Sequence, residues 1–204
     1  MNALTEKAFT ARGQSPSTNS TADPMPSRVR RAQLQDAEAI AAVHVRTWQI
    51  AYRGQLPDHF LENLRQGLDR RTEFWRTEID TPPVGHEVWV VGGESRVDGF
   101  ASIGPARDEH PRKTGELYAI YVDPNYWDRG LGRALLEHSS SRLADEGYGA
   151  AILWVLESNA RARRFYEMGG WVHDSGSKVE SGPDGIELRE IRYRIDFRRE
   201  NEES

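Results

Sequence analysis

The residues best placed for chemistry stand together in Trp127-Asp-Arg-Gly-Leu-Gly-Arg133. Gly130 and Gly132 sit at the start of a run in which Leu131, Ala134, Leu135 and His138 recur at helical spacing, with Leu143 further on. A helix start presents free N–H groups and the positive end of the macrodipole, which together favour an anion. Glycines there let a phosphate come close to the backbone. A dinucleotide fingerprint would need a third glycine three residues after Gly132, and Leu135 takes that place. The chain has no cysteine, so disulfides, thiol nucleophiles and zinc–thiolate sites are excluded. Its six histidines show no metal-like clustering, and no metal is expected.

Several elements must position that turn. Leu117 to Val122 is aromatic, aliphatic or β-branched and reads as a buried strand, ended by Asp123-Pro124-Asn125. The helix after the glycines should run to about Glu146, where Gly147-Tyr148-Gly149 stops it. Ala150 to Leu156 is a second apolar run. Strand, helix and strand in this order predict a parallel pair with a right-handed crossover. Asn159 to Met168 should form a further helix, followed by a strand from Trp171, a loop over Ser175 to Gly185, and a last strand from Ile186 to Phe197. Upstream, Arg28 to Gln33 reads as a strand and Asp36 as the N-cap of a helix from Ala37 to about Tyr52. Helices over Asp58 to Leu64 and Leu68 to Ile79 follow, then a hairpin of Glu87 to Val91 and Val97 to Ile103.

The bulk properties fit one soluble domain. Of the 204 residues, 37% are hydrophobic and 29% charged, and no run approaches the ~18 apolar residues of a membrane helix. A formal net charge of −5 argues against a nucleic-acid surface. Without a secretory signal, the expected location is cytoplasmic. Residues 1–27, rich in Ser, Thr, Asn, Pro and Gly, are expected to be a disordered tail. The domain should span 28–197, leaving a polar tail at 198–204.

Two motifs in order carry a resemblance. Trp127-Asp-Arg-Gly130-Leu-Gly132 and Asn159-Ala-Arg-Ala162-Arg-Arg-Phe165-Tyr166-Glu-Met-Gly-Gly170-Trp171 are separated by one helix and one strand. The chain from about 28 to 197 thereby resembles the GNAT superfamily of N-acetyltransferases. Trp127 stands where that family usually has Gln or Arg, and Trp171 where it usually has Phe. The resemblance implies an α/β (α+β) fold: a mixed, mostly antiparallel sheet flanked by helices, with a splayed parallel strand pair at the cofactor site.

It also implies acetyl-CoA as cosubstrate. The pyrophosphate would lie on the amides of Asp128, Arg129, Gly130, Leu131, Gly132 and Arg133. The pantetheine would lie along Ile120, Tyr121 and Val122, with Asn159, Ala162 and Tyr166 also bordering the cofactor. Tyr166 is the expected general acid for the departing thiolate, and Glu116 the expected base for the attacking amine, directly or through water. Alternation would set Glu116, Tyr118, Ile120 and Val122 on one face unless a bulge intervenes. Trp48, Tyr52 and Glu157 are expected to border the acceptor, with Arg53 beside them; the loop residues Asp108, Glu109 and His110 could border the same cleft but read first as a solvated loop. The acceptor is an amine, on a small molecule or a protein, and the resemblance leaves open whether the chain acts as a homodimer. Lacking cysteine, the chain cannot form an acyl-cysteine intermediate, and direct transfer in a ternary complex is expected. The rival readings are a coenzyme A-binding module of the same fold without turnover, and a dinucleotide-dependent oxidoreductase.

Overall fold

The computed structural model describes residues 28–93, 96–107 and 113–197. The two tails and the loop residues Asp108, Glu109 and His110 lie outside the described residues. In chain order the elements are β1 (Arg28–Arg31), α1 (Ala37–Ala51), α2 (Asp58–Asn63), α3 (Leu68–Asp80), β2 (Glu87–Gly92), β3 (Gly99–Pro105), β4 (Thr114–Val122), α4 (Leu131–Asp145), β5 (Ala150–Leu156), α5 (Ala160–Met168), β6 (Val172–Ser181) and β7 (Glu187–Asp196). The strands form one sheet in the order β1-β2-β3-β4-β5-β7-β6. Every neighbouring pair is antiparallel except β4–β5. The mixed, mostly antiparallel architecture expected from the resemblance is therefore present.

β4 is the axis of the molecule, and all of its residues are buried. Helices cover both sides. Leu117, Ile120 and Val122 pack with Leu131, Leu135 and Leu136 of α4 and with Tyr166 of α5. Ala119 and Tyr121 pack with Ile40, Val43 and Trp48 of α1 and Trp75 of α3. That parity breaks the simple alternation. Ile103 is paired with Leu117 and Ser102 with Ala119, so Tyr118 is the extra residue of a β-bulge. Gly115 faces α4, since a Cβ there would meet Leu143, and Glu116 next to it points the other way. Glu116 therefore shares its face with Ala119 and Tyr121, and not with Ile120 and Val122 as alternation would have it.

Two further expectations change. Asp36 is not a side-chain cap for α1. It closes the preceding 3₁₀ turn Leu34–Asp36, accepting the Gln33 N–H at 2.8 Å and a bidentate pair from Arg30 at 2.7 and 2.8 Å. The stretch read as a loop over Ser175 to Gly185 is mostly strand, since β6 runs to Ser181. Its residues alternate between exposed and half-buried, with no fully buried face. The apolar alternation that marks a half-buried strand is consequently missing from it. The turn to β7 uses Asp184 and Gly185, both left-handed at φ 55° and 75°.

Candidate active site

The parallel register between β4 and β5 runs from Thr114–Ala150 to Glu116–Ile152. Past that point β4 continues beside β3 to Val122, and β5 beside β7 to Leu156. The two central strands thus part at Glu116, and a wedge opens between their C-terminal halves. The turn after β4 and the start of α5 stand on either side of its mouth.

The turn is built for backbone amides to face outward. Asp123 accepts the Asn125 N–H at 2.9 Å and is held by Arg46 at 2.7 and 2.6 Å. Asp128 and Gly130 then take left-handed conformations at φ 59° and 79°. Gly130 is the N-cap of α4 but supplies no side-chain cap, and the helical bonds begin with Ala134 N–H to Gly130 C=O at 3.0 Å. The amides of Leu131, Gly132 and Arg133 are therefore the orphan donors of a fifteen-residue helix. Gly132 lies where α4, α5 and β4 converge: a Cβ there would stand 3.4 Å from the Phe165 ring and 3.7 Å from Val122.

Trp127 has a definite role in this arrangement. Its indole Nε1 donates to the Val122 carbonyl at 2.7 Å, which also accepts from Thr47 Oγ1 at 3.1 Å. Of the strand positions expected to meet the cofactor, Val122 thus has its C=O engaged within the protein. Arg161, in the first turn of α5, lies 5.3 Å from the Trp127 ring centre. Burial depresses its pKa to about 10, against a smaller opposing effect of Asp128. Arg129 stands 5.1 Å over Tyr126, and Arg133 pairs with exposed Glu137 at 2.6 Å. Arg161 was not singled out in the sequence. It occupies an unspecified position inside the Asn159 motif, and spacing alone distinguishes it from no other arginine of α5.

Asn159 caps α5 by accepting the Ala162 N–H at 3.1 Å, and both residues are buried. One turn on, Tyr166 is 1% exposed on the α4 side of the sheet, between Phe165 at 5.3 Å and Tyr193 at 6.3 Å. Tyr193 donates to Glu167 at 2.7 Å and accepts from Arg163 at 3.3 Å, and burial raises its pKa. Tyr166, Asn159, Ala162 and Gly132 are thus brought to one side of the wedge.

Glu116 stands at the apex on the other face. Its carboxylate is fully buried, and Arg107 grips it three times. The Arg107 backbone N–H and Nε reach Oε2 at 3.0 and 3.2 Å, and Nη2 donates to Oε1. Arg107 escaped the sequence reading because it begins a charged stretch that reads as a solvated loop. Glu157 is half-exposed beyond β5 and lies 3.9 Å from Arg189.

The aromatic residues expected near the acceptor do gather. Trp48 and Tyr52 are buried and meet edge-on at 4.9 Å, and Trp48 Nε1 donates to the Tyr121 hydroxyl at 3.0 Å. With Leu56, Leu156, Leu188, Glu180 and Glu190 they enclose a cavity of ≈ 20 Å³. Arg53 does not join them. It borders a separate polar cleft of ≈ 600 Å³ with Arg46, Arg65 and Asp123.

Known proteins share this fold. The chain is 36% identical over 132 residues to the uncharacterized N-acetyltransferase YuaI of Bacillus subtilis, covering 64% of this chain and 72% of that one. The PaiA N-acetyltransferase of Thermoplasma acidophilum, solved in complex with coenzyme A, superposes with a TM-score of 0.64 at 19% identity, over 85% of this chain and all (100%) of that one. YncA of Salmonella typhimurium, solved with its cofactor acetyl-CoA, gives 0.64 at 20% identity over 88% and 99%. These two likenesses are of fold. The profile of the acetyltransferase (GNAT) family matches residues 46–170, more than half of the chain, from α1 through the glycine turn to the end of the Asn159 motif. With its wedge, uncapped turn and capped α5 in the matched segment, the chain belongs to the GNAT family of acetyltransferases.

Proposed function

We propose that the protein transfers an acetyl group from acetyl-CoA to a primary amine by direct attack in a ternary complex. The observation that carries this reading is the uncapped glycine turn of α4 beside the β4–β5 wedge, with Tyr166 on the same side. Relatives of this fold are solved with coenzyme A or acetyl-CoA. The pyrophosphate would rest on the amides from Asp128 to Arg133, with Arg161 completing the positive field. The pantetheine would enter the wedge along Ile120 to Val122.

The amine nitrogen attacks the thioester carbon, and the oxyanion is met by backbone N–H near Tyr121 or Val122. Collapse breaks the C–S bond. Tyr166 gives its phenol proton to the departing thiolate, and the amine loses its proton towards Glu116. A carboxylate offers about four lone-pair directions, and Arg107 fills three of those on Glu116. The one remaining suits a bridging water better than direct contact with the amine, so Glu116 works through a positioned water.

Thermal shift and free-thiol release test the reading together. Acetyl-CoA should raise the melting temperature, and at least one amine of a broad panel should release coenzyme A. Stabilisation by NAD alone would overturn the donor assignment. Stabilisation by acetyl-CoA with no release from any amine would favour the non-catalytic coenzyme A-binding module.

A further inference from the structure

Three consecutive residues of α1 bond to three consecutive residues at the end of β4. Arg46 Nε and Nη2 reach Asp123 Oδ2 at 2.7 and 2.6 Å. Thr47 Oγ1 donates to the Val122 carbonyl at 3.1 Å, and Trp48 Nε1 to the Tyr121 hydroxyl at 3.0 Å. Neighbouring side chains on a helix point about 100° apart, so three in a row meet one strand only where the helix sits astride it. Thr47, fully buried, points down at the strand. Arg46 and Trp48 reach round opposite flanks, and the flanks lead to different places. Trp48 lines the small cavity beside Tyr52, whereas Arg46 lines the polar cleft together with Asp123, Pro124 and Asn125.

The Arg46 flank bears on the turn that leads to α4. Asp123, only 4% exposed, is the root of that turn. Its Oδ1 accepts the Asn125 N–H at 2.9 Å, its carbonyl accepts the Tyr126 N–H at 2.8 Å, and its own N–H donates to the Asp98 carbonyl at 2.7 Å. These bonds start the 3₁₀ turn Pro124–Tyr126, which runs into Trp127 and left-handed Asp128. A left-handed residue other than glycine persists only where its surroundings over-determine it. The Trp127 indole, bonded to Val122, pins the far end of the 3₁₀ turn. Asp123 pins the near end, and a buried carboxylate stays buried only with a cation beside it. Among the described residues that cation is Arg46.

Resting on the acetyltransfer reading, we propose that Arg46 is a positioning residue for the donor. Through Asp123 it braces the turn whose amides, from Asp128 to Arg133, would hold the pyrophosphate. A guanidinium could also act on a nearby anion by its field, and the two actions differ in sign at Asp123. Under a field alone, removing the Asp123 charge would tighten acetyl-CoA binding. Under a brace, removing either member of the pair weakens it.

The test measures acetyl-CoA affinity by calorimetry, with thermal melts beside each variant. Arg46→Gln and Asp123→Asn should each weaken binding by about fivefold or more. The double variant should bind no more weakly than the worse single one, as expected for two members of one contact. Arg65→Gln removes the same charge from the same cleft at a residue that does not pair with Asp123, and should leave affinity within about twofold. With an amine that serves as acceptor, the loss in Arg46→Gln should appear in the KM for acetyl-CoA and not in kcat. Should Arg46→Gln fail to fold, Arg46→Lys, which keeps the charge without the forked contact, should show the same weakening. Tighter binding in Asp123→Asn, additive losses in the double variant, or affinity kept when Arg46 is replaced would overturn the proposal. So would an Arg65→Gln loss as large as that of Arg46→Gln. If the wild type does not bind acetyl-CoA, the acetyltransfer reading fails by itself. Hydrogen exchange at the Asn125 and Tyr126 amides, both bonded to Asp123, then decides the brace: faster exchange in Arg46→Gln than in the wild type supports it, and equal exchange refutes it.

Discussion

The Trp127 indole donates at 2.7 Å to the carbonyl of Val122, tying the anion turn to the end of the strand along which the donor should lie. The bond fixes how far the turn stands from the wedge, a task that neither Gln nor Arg at this position would do through an aromatic ring. Trp127→Phe keeps most of the ring's packing and removes the donor. The loss should cost about 1 kcal/mol of stability and weaken acetyl-CoA binding several-fold, read by thermal melts and by titration of the cofactor. Unchanged cofactor affinity would show that the bond serves packing alone.

In the proposed mechanism Tyr166 protonates the leaving thiolate, and any contact its ring makes with the cofactor is one that phenylalanine would keep. Tyr166→Phe should lower kcat by about a hundredfold or more while acetyl-CoA affinity is nearly kept. Single-turnover thiol release, with cofactor binding measured beside it, separates the two effects. A kcat left intact would take Tyr166 out of the mechanism.

The grip of Arg107 on Glu116 makes the two residues energetically inseparable. Arg107→Ala would leave a fully buried carboxylate without its cation, and should destabilise the fold by about 2–3 kcal/mol. Glu116→Gln should cost less stability but lower kcat about tenfold or more, with the loss made up as pH rises and the amine deprotonates unaided. A Gln variant with the wild-type pH–rate profile would leave Glu116 a structural anchor for Arg107.

Periodicity made the framework legible, and it failed where structure answers to something other than period. The runs Leu117 to Val122 and Ala150 to Leu156 are buried on both sides, so hydrophobicity alone marked them as strands. Only the start of β6 reads as strand in the sequence, and its continuation to Ser181 does not, because neither of its faces is fully buried and no alternation is left to detect. The Tyr118 bulge was equally invisible. A bulge is an accommodation between two strands, and no residue of β4 announces it. It nonetheless decides that Glu116 lies across the sheet from Ile120. Among the site residues, Gly132, Asn159 and Tyr166 sit at fixed motif positions and could be named in advance. Arg107, Arg161 and the Arg46–Asp123 pair depend on strand pairing and on helix and loop packing, which only the folded chain reveals.

Acid stability should report on two carboxylates far from the wedge. Burial alone would raise the pKa of Asp36, but Arg30 and the Gln33 N–H outweigh it and leave the group below its ordinary 3.8. Glu87 is likewise held below 4.5 despite burial, by Arg142 and the Trp89 indole. A depressed carboxylate stabilises the fold fully above its unfolded pKa and loses that contribution as pH falls through the folded value. Stability from these groups should therefore be flat above about pH 5 and fall below about pH 4. Asp36→Asn should lower stability at neutral pH and flatten the acid limb in denaturant melts. An acid limb as steep as in the wild type would assign the effect elsewhere.

The two glycines of the anion turn should answer differently to the same added methyl group. Gly130 has φ 79° and no neighbour within 4 Å of an added Cβ, so its glycine is required by conformation alone. Gly130→Ala should cost about 1–2 kcal/mol of stability, the penalty of a left-handed alanine. Gly132 lies within α4 in helical geometry, where alanine is the better helix former. A Cβ there would stand 3.4 Å from Phe165, a contact that a small shift of the ring absorbs. Gly132→Ala should therefore leave the melting temperature within a few degrees of wild type. Its methyl group would stand at the orphan amides, where the proposed pyrophosphate site lies, so the KM for acetyl-CoA should rise about tenfold with kcat at saturation little changed. A variant that melts normally and binds acetyl-CoA normally would move the phosphate site away from this turn. One that melts early would show that the glycine is kept for packing against Phe165.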